Sequence, residues 1–325
     1  TVKRVGVFAL SLLVLPYLPA SNLFFPVGFV VAERVLYLPS MGFCMLVGFG
    51  AWQMLRNRRK LVSKSTKCLL ISLLVFYAAK TQLQNRVWMS ERDLYVSAVR
   101  SYPTNSKMWH NLGTQLEGGI TLEQSVWLMR RCIEYDPQYI AAYSDLGVVL
   151  TRLNEKEEAE KTLNKAIELI EEQFASPTPH LSQRDILAYI RLSSLIKTNH
   201  TRLPEALRLC KTAIERLPDD FRVLRETGHV LLHMGKPTEA KVYLQKALEL
   251  KPSEPNVNYL LGVTEGELGN LDVAERSIRR AMSLGPGSNV QVYATELANI
   301  LRKMGRREEA EAALAQNSLS HNNWN

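Results

Sequence analysis

From Ser106 onward the sequence repeats itself every 34 residues. Trp109, Leu112, Gly113, Leu116, Ser125, Met129, Cys132 and Pro137 occupy positions 4, 7, 8, 11, 20, 24, 27 and 32 of the first unit. The second unit places Tyr143, Leu146, Gly147, Leu150, Ala159, Leu163 and Ala166 in the same register. After an insertion around 172–185 the third gives Tyr189, Leu192, Ser193, Ile196, Ala206, Cys210, Ala213 and Pro218, with one extra turn residue. Leu224, Gly228, Leu231, Gly235, Ala240, Leu244, Ala247 and Pro252 form the fourth, and Leu261, Gly262, Gly269, Ala274, Ile278, Ala281 and Pro286 the fifth. A sixth carries Leu297, Leu301, Gly305, Ala310 and Leu314. Small residues at positions 8, 20 and 27 let two helices approach closely, larger apolar residues fill the gaps, and Pro at 32 ends the second helix. A helical hairpin of this size cannot bury its apolar face alone, so the units must stack.

This is the tetratricopeptide pattern, and it predicts a right-handed α-solenoid of about six repeats over residues 106–315. Residues 86–105 match only the second half of a unit, with Glu91, Tyr95, Ala98 and Pro103 in register, and predict a capping helix. Pro177 and Pro179 mark the insertion as a surface excursion, and the polar tail 316–325 is expected to fray.

The first 85 residues are of another kind. Three apolar runs, about 5–20, 38–55 and 68–83, approach the length of a membrane span, for which roughly 17–25 residues are needed. The predicted fold class is therefore all-α: transmembrane helices in residues 1–85, then the solenoid. Lys3 and Arg4 precede the first run, and Arg56, Arg58, Arg59, Lys60, Lys64 and Lys67 fill the link between the second and third. Both segments are then cytosolic, while 21–37 and everything after about Leu83 lie on the opposite side. The formal net charge of +8 owes much to this region, where Glu33 is the only acid. Later charges of both signs are interspersed and form no basic stripe for nucleic acid. The first run is followed by further spans and no small-residue cleavage context, so it is not read as a cleaved signal. A chain starting Thr-Val-Lys-Arg, without Met, is expected to be part of a longer protein.

Glu33 and Arg34 stand inside the apolar stretch 30–43, ahead of Tyr37. Charge at membrane depth is costly and usually functional. Arg34 either holds a lipid phosphate with Glu33 orienting it, or the pair anchors an interfacial re-entrant segment over 21–37. In the solenoid, positions 2, 5, 9 and 12 of each first helix line the groove. Lys107, His110, Arg222, Arg225, His229, Asn256, Tyr259, Asn299 and Arg302 fall there. Cations and amides suit an extended peptide with acidic groups, and a solvated face is the plain alternative. His110, His229 and His233 show no acidic or thiol partner in the pattern, so no catalytic constellation is expected. Cys44, Cys68, Cys132 and Cys210 lack disulfide or metal-ligand spacing and read as free thiols. Neither a metal motif nor a cofactor motif is evident. Asn199-His200-Thr201 is an acceptor tripeptide for N-glycosylation between two predicted helices.

The segments V-G-F-V-V-A-E-R-V-L-Y-L-P-S-M-G-F at 27–43 and W-M-S-E-R-D-L-Y at 88–95, joined to apolar spans and the repeats, carry a resemblance. With Ala32, Glu33, Arg34, Leu36, Tyr37, Pro39 and Ser40 as its core, the chain resembles the transmembrane and tetratricopeptide-repeat-containing proteins of the endoplasmic reticulum. The resemblance implies the C-terminal part of a GT-C-like membrane glycosyltransferase. It implies transfer of mannose from dolichyl-phosphate mannose to Ser or Thr of cadherin-type acceptor proteins, with a lumenal solenoid recruiting the acceptor. The family's catalytic acid lies in an upstream lumenal loop, so Glu33 is expected to support Arg34 rather than act as base. The other reading is a non-catalytic, membrane-tethered lumenal scaffold binding chaperones or calcium-handling membrane proteins.

Overall fold

The computed structural model describes residues 2–18, 37–56, 60–176, 182–285 and 289–321. Every regular element among them is helical, and the chain divides into two compact units, Thr1–Met89 and Ser90–Asn325.

The first unit contains α1 (Val2–Val14), α2 (Tyr37–Leu55) and α3 (Lys60–Val87). Helix α1 stops two residues ahead of Pro16, whose ring disfavours helical backbone at the residue before it. At about 20 Å it is shorter than the ~30 Å hydrocarbon core. Helix α2 and the Val62–Val87 stretch of α3 are long and apolar enough to cross a membrane. Their side chains largely face outward: Leu69, Leu74, Val75 and Phe76 are each more than 60% exposed. A soluble core helix would bury them. Helix α3 continues beyond the apolar run at both ends, through Lys64 and Lys67 on one side and Gln82 to Val87 on the other. Within this unit α1 packs on α2 at Gly42, where a Cβ would lie 2.5 Å from the Ala9 carbonyl oxygen. Only glycine permits that approach.

In the second unit α4 (Glu91–Ser101) starts at Ser90, whose hydroxyl accepts from the Asp93 N–H at 3.1 Å. Six helical hairpins follow among the described residues. They are α5/α6 (Ser106–Gly113, Leu122–Tyr135), α7/α8 (Ile140–Arg152, Lys156–Phe174), α9/α10 (Gln183–Ile196, Leu203–Arg216), α11/α12 (Phe221–His233, Pro237–Leu250), α13/α14 (Pro255–Glu267, Leu271–Leu284) and α15/α16 (Val290–Lys303, Arg307–His321). Helix α16 thus runs into the tail expected to fray. The insertion is narrower than its sequence suggests, because α8 extends to Phe174 and α9 begins at Gln183.

The repeat positions act as their chemistry requires. A Cβ on Gly228 would lie 2.6 Å from Leu244 Cγ, and one on Gly147 2.5 Å from Leu163 Cγ. Met129 over Gly113 and Ile278 over Gly262 repeat the arrangement, so in these four hairpins position 24 drops its side chain onto position 8. Ala159, Ala206, Ala240, Ala274 and Ala310 at position 20 are fully buried. In the third hairpin Ser193 replaces the glycine, and its hydroxyl reaches the Ala206 carbonyl at 3.1 Å. The residues before the helix-ending prolines, Asp136, Leu217 and Lys251, all leave helical backbone, with φ near −140° and ψ of 89°, 71° and 81°. The hairpin turns need a left-handed residue, supplied by Gly235 (φ 69°) and, without glycine, by Asn154 (φ 64°).

Candidate functional site

Neighbouring first helices touch across the array, α7 with α9, α9 with α11, α11 with α13 and α13 with α15. Their shared inner face is the concave groove. Its N-terminal half carries a charged tie across three hairpins. His110 Nε2 donates to Asp145 Oδ2 at 2.8 Å, and Arg191 Nη1 reaches Asp145 Oδ1 at 2.7 Å. Burial pushes the Asp145 carboxyl up, but the His110 hydrogen bond and the Arg191 charge outweigh it and hold it below its usual range. The His110 ring meets Tyr139 edge to face, and its Nδ1 is buried without a partner.

A second tie joins the third and fourth hairpins. Lys197 Nζ lies 2.7 Å from Glu226 Oε1 and 2.8 Å from His229 Nδ1, with the Lys and Glu side chains only 10% and 6% exposed. Burial, then the Lys197 charge, drives the His229 pKa down to about 3. A neutral Nδ1 is then the acceptor for the ammonium. His233, one turn on, lies tilted against His229 at 5.0 Å between centroids, and burial followed by Lys197 lowers it too.

These two ties correct the expectation that the groove histidines have no acidic partner. Asp145 pairs with His110 directly, and Glu226 sits one residue-link away from His229 through Lys197. The spacing could not show it, because the partners lie 29 to 35 residues apart and meet only once hairpins stack. Asp145, Arg191 and Glu226 share position 6, outside the expected groove positions 2, 5, 9 and 12. Lys197 sits at position 12 of the third unit, the same position that nominated Arg302, so that rule extended to every hairpin would have found it.

The other expected groove residues divide clearly. Arg222 folds back on its own helix cap, Nη2 to Asp220 Oδ2 at 2.6 Å, and is occupied. Asn256 Oδ1 accepts from the Tyr293 hydroxyl at 2.7 Å, and Tyr259 packs on Tyr293 with centroids 4.9 Å apart. Asn299 donates to Glu296 at 3.2 Å. Lys107, Arg225 and Arg302 make no ion pair among the described residues. Arg225 is half-buried, and its charge is felt at both His229 and Tyr293. The groove therefore offers an uncompensated guanidinium beside an aromatic pair and an amide. A guanidinium, an amide and a phenol are donors suited to carboxylate and carbonyl oxygens.

The membrane-side candidates fare differently. Glu33 and Arg34 lie outside the described residues. Tyr37 is the first residue of α2, and its side chain is 71% exposed. All four cysteines are free. Burial pushes the Cys132 and Cys210 thiols up to about 12, which leaves them unreactive at neutral pH. Asn199 is exposed in the turn between α9 and α10.

A tetratricopeptide-repeat profile matches residues 140–173 and 227–254. The chain is 36% identical to human protein O-mannosyl-transferase TMTC3 over 294 residues, which is 90% of this chain and 32% of that protein. It is 34% identical to the Drosophila melanogaster protein O-mannosyl-transferase Tmtc3, over 72% of this chain and 26% of the relative. The chain thus spans about a third of the curated relatives it matches. The crystal structure of PilW, a type IV pilus biogenesis factor, superposes with a TM-score of 0.55 at 15% identity, covering 65% of this chain and 91% of PilW. That likeness is one of solenoid fold.

Proposed function

The chain belongs to the transmembrane and tetratricopeptide-repeat-containing family, and from that membership we propose that it forms part of a membrane-bound protein O-mannosyltransferase. One observation carries the reading: the similarity to relatives named protein O-mannosyl-transferases runs through 90% of the chain. The donor proposed is dolichyl-phosphate mannose, the acceptor a Ser or Thr hydroxyl of a cadherin-like domain, and the place the endoplasmic reticulum membrane with the solenoid in the lumen. In such a transfer a base removes the hydroxyl proton, the oxygen bonds to C1 of mannose, and the C1–O bond to phosphate breaks.

The residues of this chain have supporting parts in that scheme. Arg34 contacts the donor phosphate, with Glu33 supporting it and Tyr37 a further candidate for that site. The base belongs to sequence outside this chain. The solenoid recruits the acceptor through Arg225, Asn256 and Tyr259, with Lys107 and Arg302 further along the same face. The test is Arg34→Ala in the whole enzyme. Donor-dependent transfer falls while insertion and abundance stay constant; a loss of abundance alone makes the pair a structural anchor.

A further inference from the structure

Asn199 heads the single Asn-x-Ser/Thr tripeptide in the sequence. It lies in the turn between α9 and α10, where Thr198, Asn199, His200 and Thr201 are all exposed. Asn199 caps the short 3-10 turn His200–Arg202. Its Oδ1 accepts from the Thr201 N–H at 3.1 Å and from the Thr201 hydroxyl at 2.7 Å. Both bonds span two residues, so the arrangement forms locally and needs no solenoid around it. Its Nδ2 makes no hydrogen bond among the described residues, and the residue is exposed.

We propose that Asn199 is an N-glycosylation site, modified by an oligosaccharide from a lipid-diphosphate donor. The inference rests on the lumenal placement proposed for the solenoid. The Asn199 Nδ2 bonds to the anomeric carbon, the bond from that carbon to the diphosphate oxygen breaks, one amide proton passes to a base, and the lipid diphosphate leaves. The Thr201 hydroxyl fixes the carboxamide through Oδ1, which keeps the nitrogen free to react. The folded array tolerates the product. The turn is exposed at each of its residues Thr198, Asn199, His200 and Thr201, which leaves the product in solvent. The buried Lys197–Glu226 pair beside this turn is already closed, so a glycan there disturbs no open contact. Arg225, Tyr259 and Asn299 lie in later hairpins and remain accessible.

The test expresses the full chain in mammalian cells, with and without an added C-terminal Asn-Gly-Thr reporter. Glycosidase treatment of the unaltered chain gives one discrete downward mobility shift, and peptide mapping finds Asn199 converted to Asp. Asn199→Gln and Thr201→Ala each abolish the shift; mapping of the unaltered chain makes the result independent of how the variants fold. A glycosylated reporter alongside a bare Asn199 peptide overturns the proposal while leaving the lumenal placement intact. If neither site is modified, the placement fails and the proposal falls with it.

Discussion

The imidazole of His110 and the carboxylate of Asp145 meet at 2.8 Å across the first hairpin boundary, and Arg191 holds the other carboxylate oxygen from the next hairpin at 2.7 Å. One acidic side chain thus ties three hairpins on the concave face. Asp145→Asn keeps the shape and removes the charge, and it is expected to cost about 1.5–3 kcal/mol, the range for hydrogen bonds to charged groups. Thermal unfolding of the solenoid measures it. Asp145 has a folded pKa below its ordinary value, so its stabilisation is present above the unfolded pKa and is lost as pH falls through the folded one. Acid sensitivity in that window should weaken in the variant.

His229 is held neutral. Its folded pKa of about 3 lies below the unfolded value of 6.5, so between those values the unfolded chain binds the extra proton. Stability therefore falls as pH drops from about 6.5 towards 3, with a slope of up to about 1.4 kcal/mol per pH unit from this group. The imidazole NMR shifts of His229 should stay flat from pH 7 to pH 5. A midpoint near 6.5 would show that the ring is not confined beside Lys197.

Lys197 and Glu226 form a buried pair, and breaking it is more damaging than removing it. Lys197→Met leaves a carboxylate uncompensated and is expected to cost about 3–5 kcal/mol. Lys197→Met with Glu226→Met should recover much of that loss. Denaturant unfolding of the two variants gives the comparison; equal destabilisation would mean the pair is solvated.

Gly228 lies under Leu244 with no room for a Cβ. Gly228→Ala overpacks this contact and is expected to destabilise by about 1–3 kcal/mol. Leu244→Ala opens a cavity at the same place, at a cost of about 2–5 kcal/mol. The double variant should cost less than the two singles combined, because the new methyl occupies part of the void.

On the concave face, Arg225→Glu should weaken capture of an acidic acceptor segment at least tenfold, and more so at low salt. Arg222→Glu should affect stability before binding, since Arg222 is engaged with Asp220. Titration of an acceptor domain into each variant distinguishes them.

Much of the fold was legible because one residue type per position has one physical role. The glycines and alanines at positions 8, 20 and 27 and the prolines at 32 announce hairpins, and the structure places Met129, Leu163, Leu244 and Ile278 at position 24 over the glycines at position 8. The site was less legible for a different reason. Arg222, nominated as a free groove cation, is drawn to an aspartate two residues earlier, a local competition that groove position alone does not reveal. Asp145, Arg191 and Glu226 gain their partners only across stacked hairpins, so their role follows from geometry that no single unit contains. The Glu33–Arg34 pair shows the reverse. Its charge inside an apolar run is plain in the sequence, whereas both residues lie outside the described structure.

The central claim is that this chain serves mannose transfer rather than tethering alone. The most direct measurement uses the full-length protein that contains it, purified in lipid with labelled dolichyl-phosphate mannose and a cadherin-type acceptor domain. Labelled mannose is expected on Ser or Thr of the acceptor, reduced when residues 90–325 are deleted and abolished by Arg34→Ala at equal abundance. An intact, acceptor-binding protein that transfers no mannose would contradict it.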